Sequence, residues 1–296
     1  MRKSSTGARC AQALVLSLLV STAPARAGAN LGNVLPLGDS ITDGFNQAPG
    51  YRENLLTLLH NAGDTLNFVG SATDHSTSTL DAAGQAHHEG HSGYVIQNLG
   101  TSPGDAFSQG YTPPGSIVEN LNTWLSDGTG VNPQYILLMI STNDVAYKYF
   151  LNGPNNDGVN DVGSRLSQLI SQISNRSTGL RPNARLLVAS LTTTSDDAQR
   201  PRFADFAAQV PGIVNAHKAL GESVSYVDMY DALDPHSDFA DWLHPSGSGY
   251  EKMAETWYNA INGFVLAPEP GSAVMLGLAA GGMLLRRRRR DQYQVA

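Results

Sequence analysis

Val34-Leu35-Pro36-Leu37-Gly38-Asp39-Ser40-Ile41-Thr42 is the stretch that decides the fold. A short apolar run breaks at a glycine, and a serine follows the break. A near-continuous apolar strand is what a parallel sheet covered on both faces requires. The break leaves a hydroxyl at the carboxyl end of that strand, where open parallel sheets bind their ligands. Short apolar runs recur along the chain and predict strands over 33–37, 66–69, 135–140, 185–189 and 223–227. Helical patterns separate them, over 51–61, 114–126, 159–176, 203–220 and 247–263. In the third of these, Val162, Leu166, Leu169, Ile170 and Ile173 fall three or four apart, so one face is apolar. Pro245-Ser246 supplies turn and cap ahead of the last helix. This alternation predicts an α/β fold with a parallel sheet between helices. Two polar stretches, 73–93 and 146–160, read as long loops, which in a compact domain carry function.

The ends of the chain read differently. Arg2, Lys3 and Arg9 precede an apolar run from Ala13 to Val20, and small residues end at Ala25-Arg26-Ala27. That order predicts a secretory leader over 1–27, cleaved after Ala27. At the other end, Pro268-Glu269-Pro270 precedes an apolar segment over 271–285 and then Arg286 to Arg290. An apolar segment closed by a cationic block resembles a stop-transfer anchor. The trio of Pro-Glu-Pro, apolar segment and arginines resembles a PEP-CTERM sorting tail over 267–296. That resemblance implies a membrane exosortase-type enzyme as processing partner, transient membrane association, and export to the cell envelope or the extracellular matrix. Between the two ends lies one domain over 28–266, about 240 residues, long enough for a sizeable core.

The whole chain carries a net charge of −7, with basic residues concentrated in its two ends. The central domain is more acidic still, which argues against a nucleic-acid partner. The one cysteine, Cys10, lies in the leader. The domain therefore has neither disulfides nor cysteine metal ligands.

A serine hydroxyl needs a base within hydrogen-bond reach, and that base needs a partner to fix its tautomer. Ser40 is the candidate nucleophile. Asp241-Trp242-Leu243-His244 offers an imidazole as general base and a carboxylate three residues earlier to hold it. Acyl transfer also needs donors for an oxyanion. Ser141-Thr142-Asn143-Asp144 follows an apolar strand, so the Asn143 amide is one candidate, with Gly93 and the Ser40 N–H as the others. Asp39, His91 and Trp242 are candidate substrate contacts, Trp242 because it lies between acid and base. Trp124 and Trp257 are further aromatic residues able to stack on a sugar ring. His88-Glu89-Gly90-His91 has its histidines three apart around a glycine, which does not fit a zinc-peptidase helix. No metal or cofactor is expected in the chemistry, and a structural calcium among the Asp- and Asn-rich loops is left open.

The Gly38-Asp39-Ser40-Ile41-Thr42 block, Gly93, Asn143-Asp144 and Asp241-x-x-His244 resemble the sequence blocks of the SGNH (GDSL-type) hydrolases. That resemblance implies catalytic Ser40, His244 and Asp241, and an oxyanion hole of Ser40, Gly93 and Asn143. It also implies a flavodoxin-like three-layer α/β/α sandwich on a parallel five-stranded sheet. Ser141 stands where the third block opens with glycine. The strings Pro36 to Gly44, Gly50-Tyr51-Arg52, Phe68-Val69-Gly70-Ser71 and His88-Glu89-Gly90-His91-Ser92-Gly93 are similar to the third carbohydrate esterase family, the acetylxylan esterase group. This narrower likeness implies removal of acetyl groups from a polysaccharide. A lipase- or thioesterase-type esterase and an inactive glycan-binding protein are the alternatives.

Overall fold

The computed structural model describes residues 28–99, 111–126, 131–147 and 159–266. Six strands run through them: β1 (Asn30–Gly38), β2 (Thr65–Phe68), β3 (Glu89–Gly90), β4 (Tyr135–Met139), β5 (Arg185–Ala189) and β6 (Val224–Val227). They form one sheet in the order β2-β1-β4-β5-β6, with β3 also paired to β1, and every pairing is parallel. The helices are α1 (Ser40–Asp43), α2 (Arg52–Asn61), α3 (Ser78–Ala82), α4 (Ile117–Leu125), α5 (Thr142–Ala146), α6 (Val159–Ser174), α7 (Arg200–Ala207), α8 (Val210–Ala219) and α9 (Gly247–Leu266).

The central strands β1, β4 and β5 are buried on both faces over most of their length, whereas the edge strands β2 and β6 leave Asn67 exposed and Ser225 and Tyr226 half-buried. In β4 all five residues are buried, and alternate side chains enter different cores. Ile136 and Leu138 join α4, α6, α7 and α8 on one face. Tyr135, Leu137 and Met139 join α2 and α9 on the other. The result is a three-layer α/β/α sandwich. Leaving out the two-residue β3, the strand order is that of a flavodoxin-like sheet. The strand order reverses between β1 and β4, and that switch point is where such sheets bind ligands.

The structure departs from the sequence reading in three places. The expected helix over 203–220 is two helices, α7 and α8, and Pro211 occupies the first turn of α8. A proline is tolerated there because its missing N–H has no helical partner anyway. The expected loop over 73–93 contains α3 and β3. The sheet gains β3 as a sixth strand, which is too short for hydrophobic periodicity to reveal. The expected leader, the sorting tail and most of the second loop lie outside the described residues. None of the described helices is long and apolar enough to cross a membrane.

Arg52, the second residue of Tyr51-Arg52, is fully buried and anchors the loops around the sheet edge. Its guanidinium donates to the carbonyls of Pro49 (3.0 Å), Ala86 (2.8 Å), Asp43 (3.1 Å), His75 (2.9 Å) and Asp74 (3.4 Å). Carbonyl dipoles hydrogen-bond the buried charge, and the Asp43 and Asp74 carboxylates nearby also favour it.

Candidate active site

Register brings the candidate residues to one edge. Gly38 at the end of β1 pairs with Gly90 of β3 on one side and Met139 of β4 on the other. Ser40, Gly93 and Asn143 follow these three positions within a few residues, so they leave the sheet together. The His91 N–H donates to the Gly38 carbonyl at 3.0 Å and fastens the Gly93 loop beside the Ser40 turn. Gly38 must be glycine, because a Cβ there would lie 2.2 Å from the Met139 carbonyl oxygen.

Ser40 is the first residue of α1, and Asp39 caps that helix by accepting the Ile41 N–H at 3.1 Å. The start of a helix leaves N–H groups without intrahelical acceptors, so the Ser40 amide is available as a donor. The Ser40 hydroxyl lies 3.0 Å from His244 Nε2. His244 Nδ1 lies 2.9 Å from Asp241 Oδ2. The other oxygen, Asp241 Oδ1, accepts the main-chain N–H groups of Leu243 and His244, each at 2.7 Å. Partial burial works against the charge on Asp241. The His244 and Leu243 N–H donors and the imidazole outweigh it and hold the carboxyl below its ordinary range. Nδ1 therefore carries the proton toward Asp241, and Nε2 is left to accept one from Ser40.

Two further donors have the expected surroundings. Gly93 has φ 81°, a left-handed backbone that favours glycine, and the Tyr111 hydroxyl holds its carbonyl. The Asn143 amide donates to the Tyr94 carbonyl at 2.8 Å, which fixes its plane. An amide nitrogen has two N–H bonds, so one remains to meet an oxyanion. Ser141, in the position where the family blocks have glycine, takes φ 108°. The backbone thus keeps a glycine-like conformation with a side chain on it. Behind Asn143, Asp144 is fully buried, accepts the Ile96 N–H at 3.1 Å and pairs with Arg165, which Asp161 also holds at 3.0 Å.

The remaining candidates have varied surroundings. Asp39 is fully buried and sits behind the nucleophile, capping α1. Burial pushes its carboxyl up to about 6, against the pull of its helix-capping bond. Trp257 is fully buried and Trp124 nearly so, and both belong to the cores. His91 stacks on both Tyr94 (4.7 Å) and Trp124 (4.8 Å), which also stack on each other, with Nε2 at 2.8 Å from the buried Glu89. Glu89 also holds the Ser71 N–H and hydroxyl, so this string serves as a braced loop. His88 accepts the Gly90 N–H and donates to the Asp74 carbonyl, each at 3.0 Å, and burial pulls its imidazole down to about 4. Trp242 is exposed beside the relay, as is Phe45, whose ring centroid is 5.1 Å from that of His244. Phe45 and Asn46 carried no sequence signal. The one hint was a Gly44-led turn, with Asn tolerant of a left-handed backbone.

Among the described residues, Asp43, Asp74 and His75 bring metal-capable atoms within 4.8 Å of one another. Asp43 is already engaged on both oxygens, by His75 Nδ1 at 2.8 Å and by the Ser92 hydroxyl. The trio reads as a hydrogen-bonded brace, and no step of the chemistry is routed through a cation there.

Known proteins share the sequence and the fold of this domain. The GDSL-like Lipase/Acylhydrolase family matches residues 34–257. A multidomain esterase of Ruminococcus flavefaciens is 29% identical over 267 residues, covering 86% of this chain. The chain spans about a third of that relative's length, 31%. Among solved structures, a Clostridium thermocellum family 3 carbohydrate esterase superposes with a TM-score of 0.57 at 30% identity, covering 78% of this chain and 94% of its own. A family 3 carbohydrate esterase from Talaromyces cellulolyticus shares the fold, with a TM-score of 0.56 at 19% identity over 79% of this chain and 97% of its own. With the serine, imidazole and carboxylate aligned at the sheet edge, the chain belongs to the GDSL-like lipase/acylhydrolase family of serine ester hydrolases.

Proposed function

We propose that this protein is an exported esterase that removes acetyl groups from an acetylated polysaccharide through an acyl-enzyme on Ser40. The observation that carries the reading is the continuous relay from Ser40 through His244 to Asp241, with contacts of 3.0 Å and 2.9 Å. The likeness to family 3 carbohydrate esterases supports acetylated sugars as the substrate class. The leader-like 1–27 segment supports export, and the tail over 267–296 is proposed as the substrate of an exosortase-type enzyme.

In the proposed cycle Ser40 Oγ attacks the acetyl carbonyl carbon while His244 Nε2 takes its proton. The Ser40 N–H, Gly93 N–H and Asn143 amide receive the oxyanion. The carbon–oxygen bond to the sugar then breaks, and His244 returns the proton to the leaving alcohol. Water attacks the acetyl-enzyme by the same route and acetate leaves, restoring Ser40. Trp242 is exposed between acid and base, which suits stacking against a sugar ring.

The test is acetate release from acetylated xylan, acetylated glucomannan and chitin-type oligomers, alongside nitrophenyl esters of increasing acyl length. Release from a polysaccharide, with rates that fall as the acyl chain grows, supports the reading. Rates that rise with chain length favour a lipase- or thioesterase-type enzyme. Saccharide binding without acetate release would mark a glycan-binding protein.

A further inference from the structure

We infer that Asn46 is a positioning residue that couples the serine-bearing turn to the Asp241–His244 pair and moderates the carboxylate's pull on the imidazole. The Asn46 amide donates to Asp241 Oδ2 at 3.1 Å, across 195 residues of sequence. This is the same oxygen that meets His244 Nδ1 at 2.9 Å. The remaining oxygen is held by two N–H groups from within the 241–244 turn. Orientation of the carboxylate is thus secured locally. Asn46 brings a contact from outside that turn, and it comes from the segment that carries Ser40.

The path from Ser40 to Asn46 is closely defined. The N–H groups of Gly44 and Phe45 both donate to the Ser40 carbonyl at 3.0 Å, and Gly44 closes α1 with φ 88°. Asn46 follows with φ 64°, a left-handed conformation that asparagine adopts more readily than other side-chain-bearing residues. Phe45 is thereby set against the His244 ring while Asn46 reaches the acid. One short turn touches the base with an aromatic face and the acid with an amide.

Two effects follow. The amide ties the Ser40 turn to the acid–base pair and so maintains the 3.0 Å contact between Ser40 and His244. It also competes with the imidazole for Oδ2, which spreads the carboxylate charge. Other ionisable groups near His244 are Asp39 behind Ser40, Asp43 with His75 beyond Phe45, Tyr250 on α9, and the Asp238–Lys252 pair. None of these hydrogen-bonds to Asn46 among the described residues, so a substitution there leaves their own contacts in place.

Asn46→Gly keeps the left-handed backbone and removes the amide. We expect the acid limb of its kcat/KM profile on nitrophenyl acetate to move to higher pH by about half a unit, because an undiluted carboxylate favours imidazolium more strongly. We expect kcat to fall about tenfold with KM little changed, the size of one lost charge-assisted hydrogen bond. Asn46→Asp retains the turn but sets a second carboxylate against Asp241, and the limb should move further in the same direction. A readout independent of turnover is the NMR titration of the His244 ring proton, assigned by its disappearance in His244→Asn. An upward midpoint in both variants supports the inference. An unchanged midpoint and an unmoved acid limb in Asn46→Gly, with only a lower melting temperature, overturns it and leaves Asn46 as a turn residue. The titration does not depend on which ester is the natural substrate, so failure here and failure of the polysaccharide reading are distinguishable.

Discussion

Among the described residues, two hydrogen-bonded chains run in the order serine, histidine, carboxylate, and only one lies at the carboxyl edge of the sheet. In the first, Ser40, His244 and Asp241 are linked at 3.0 Å and 2.9 Å. In the second, Ser167 on α6 lies 2.9 Å from His217 Nε2 on α8, and His217 Nδ1 lies 2.8 Å from Glu222 Oε2. Ser174 also donates to Glu222, at 2.8 Å. By distance alone the two relays are equivalent. Their serines are not. Ser40 opens a helix, where N–H groups are unspent, while Ser167 lies inside α6, where its N–H is committed to the carbonyl four residues back. The second serine therefore offers no oxyanion donor of its own. Its base and acid are almost wholly enclosed, with side chains 5% and 2% exposed, against 14% and 35% in the first. The comparison teaches that the hydrogen-bond chain is common chemistry, and that open space and waiting donors make it an active site.

The two relays also differ in their structural cost. Around Ser40 stand a fully buried carboxylate at Asp39, destabilised in its charged form by burial, and left-handed backbones at Ser141 and Asn46. Around Ser167 the polar groups satisfy one another. Unfavourable local states gathered at one site are a mark of function.

The largest expected effect separates the serines directly. Ser40→Ala should lower ester hydrolysis by at least about a thousandfold while leaving the fold intact. Ser167→Ala should leave kcat/KM within about twofold of the parent and lower stability by about 1 kcal/mol, read from urea melts. Equal loss of activity in both would break the comparison.

His217→Ala sharpens it from the stability side. Removing the imidazole leaves the buried Glu222 with fewer donors, and stability should drop by about 2–3 kcal/mol. Turnover by the folded fraction should be unchanged. A fall in kcat without a fall in melting temperature would mean that the second relay serves the first.

Asp39→Asn tests the cost carried by the first relay. Its folded carboxyl is raised to about 6, so its ionised form weighs against the fold above that pH, and the penalty fades as pH falls toward the ordinary 3.8. The amide should stabilise the protein at pH 8 by up to about 3 kcal/mol and give little benefit at pH 4. His88 has the opposite sign. Its imidazole is lowered to about 4 from 6.5, so its contribution is present above pH 6.5 and lost as pH falls toward 4. Asp39→Asn should therefore show a steeper acid loss than the parent in melts across pH 4 to 7. Its activity should fall several-fold, because a negative charge near His244 is gone.

The smallest effect concerns Ser141. A glycine there relieves the strain of φ 108°, and Ser141→Gly should gain about 1 kcal/mol with activity retained or raised. Destabilisation instead would mean that the serine side chain is needed where it stands.

Much of this was legible in the sequence, for identifiable reasons. Ser40, Asn143 and the Asp241–His244 pair lie just beyond apolar strands or within a compact acid–base string, and local order is what a sequence displays. β4 was legible because every residue in it is apolar. The break between α7 and α8 was available from Pro211, which the longer helical pattern masked. Asn46 was hidden, and Arg52 showed only as part of the Gly50-Tyr51-Arg52 string without its role, since each acts on partners far along the chain or through peptide carbonyls that carry no residue identity. The second relay was invisible for the same reason: Ser167, His217 and Glu222 meet only when two helices pack.

Arg52 has a practical consequence for redesign. It grips peptide oxygens from the Asp43 and Pro49 stretch, from Asp74 and His75, and from Ala86. Those three pieces of chain are spaced by a single cation, so none can be lengthened or swapped without unsettling the others. A designer who wants a new entrance to this cleft should transplant them together, with their arginine, as one cassette.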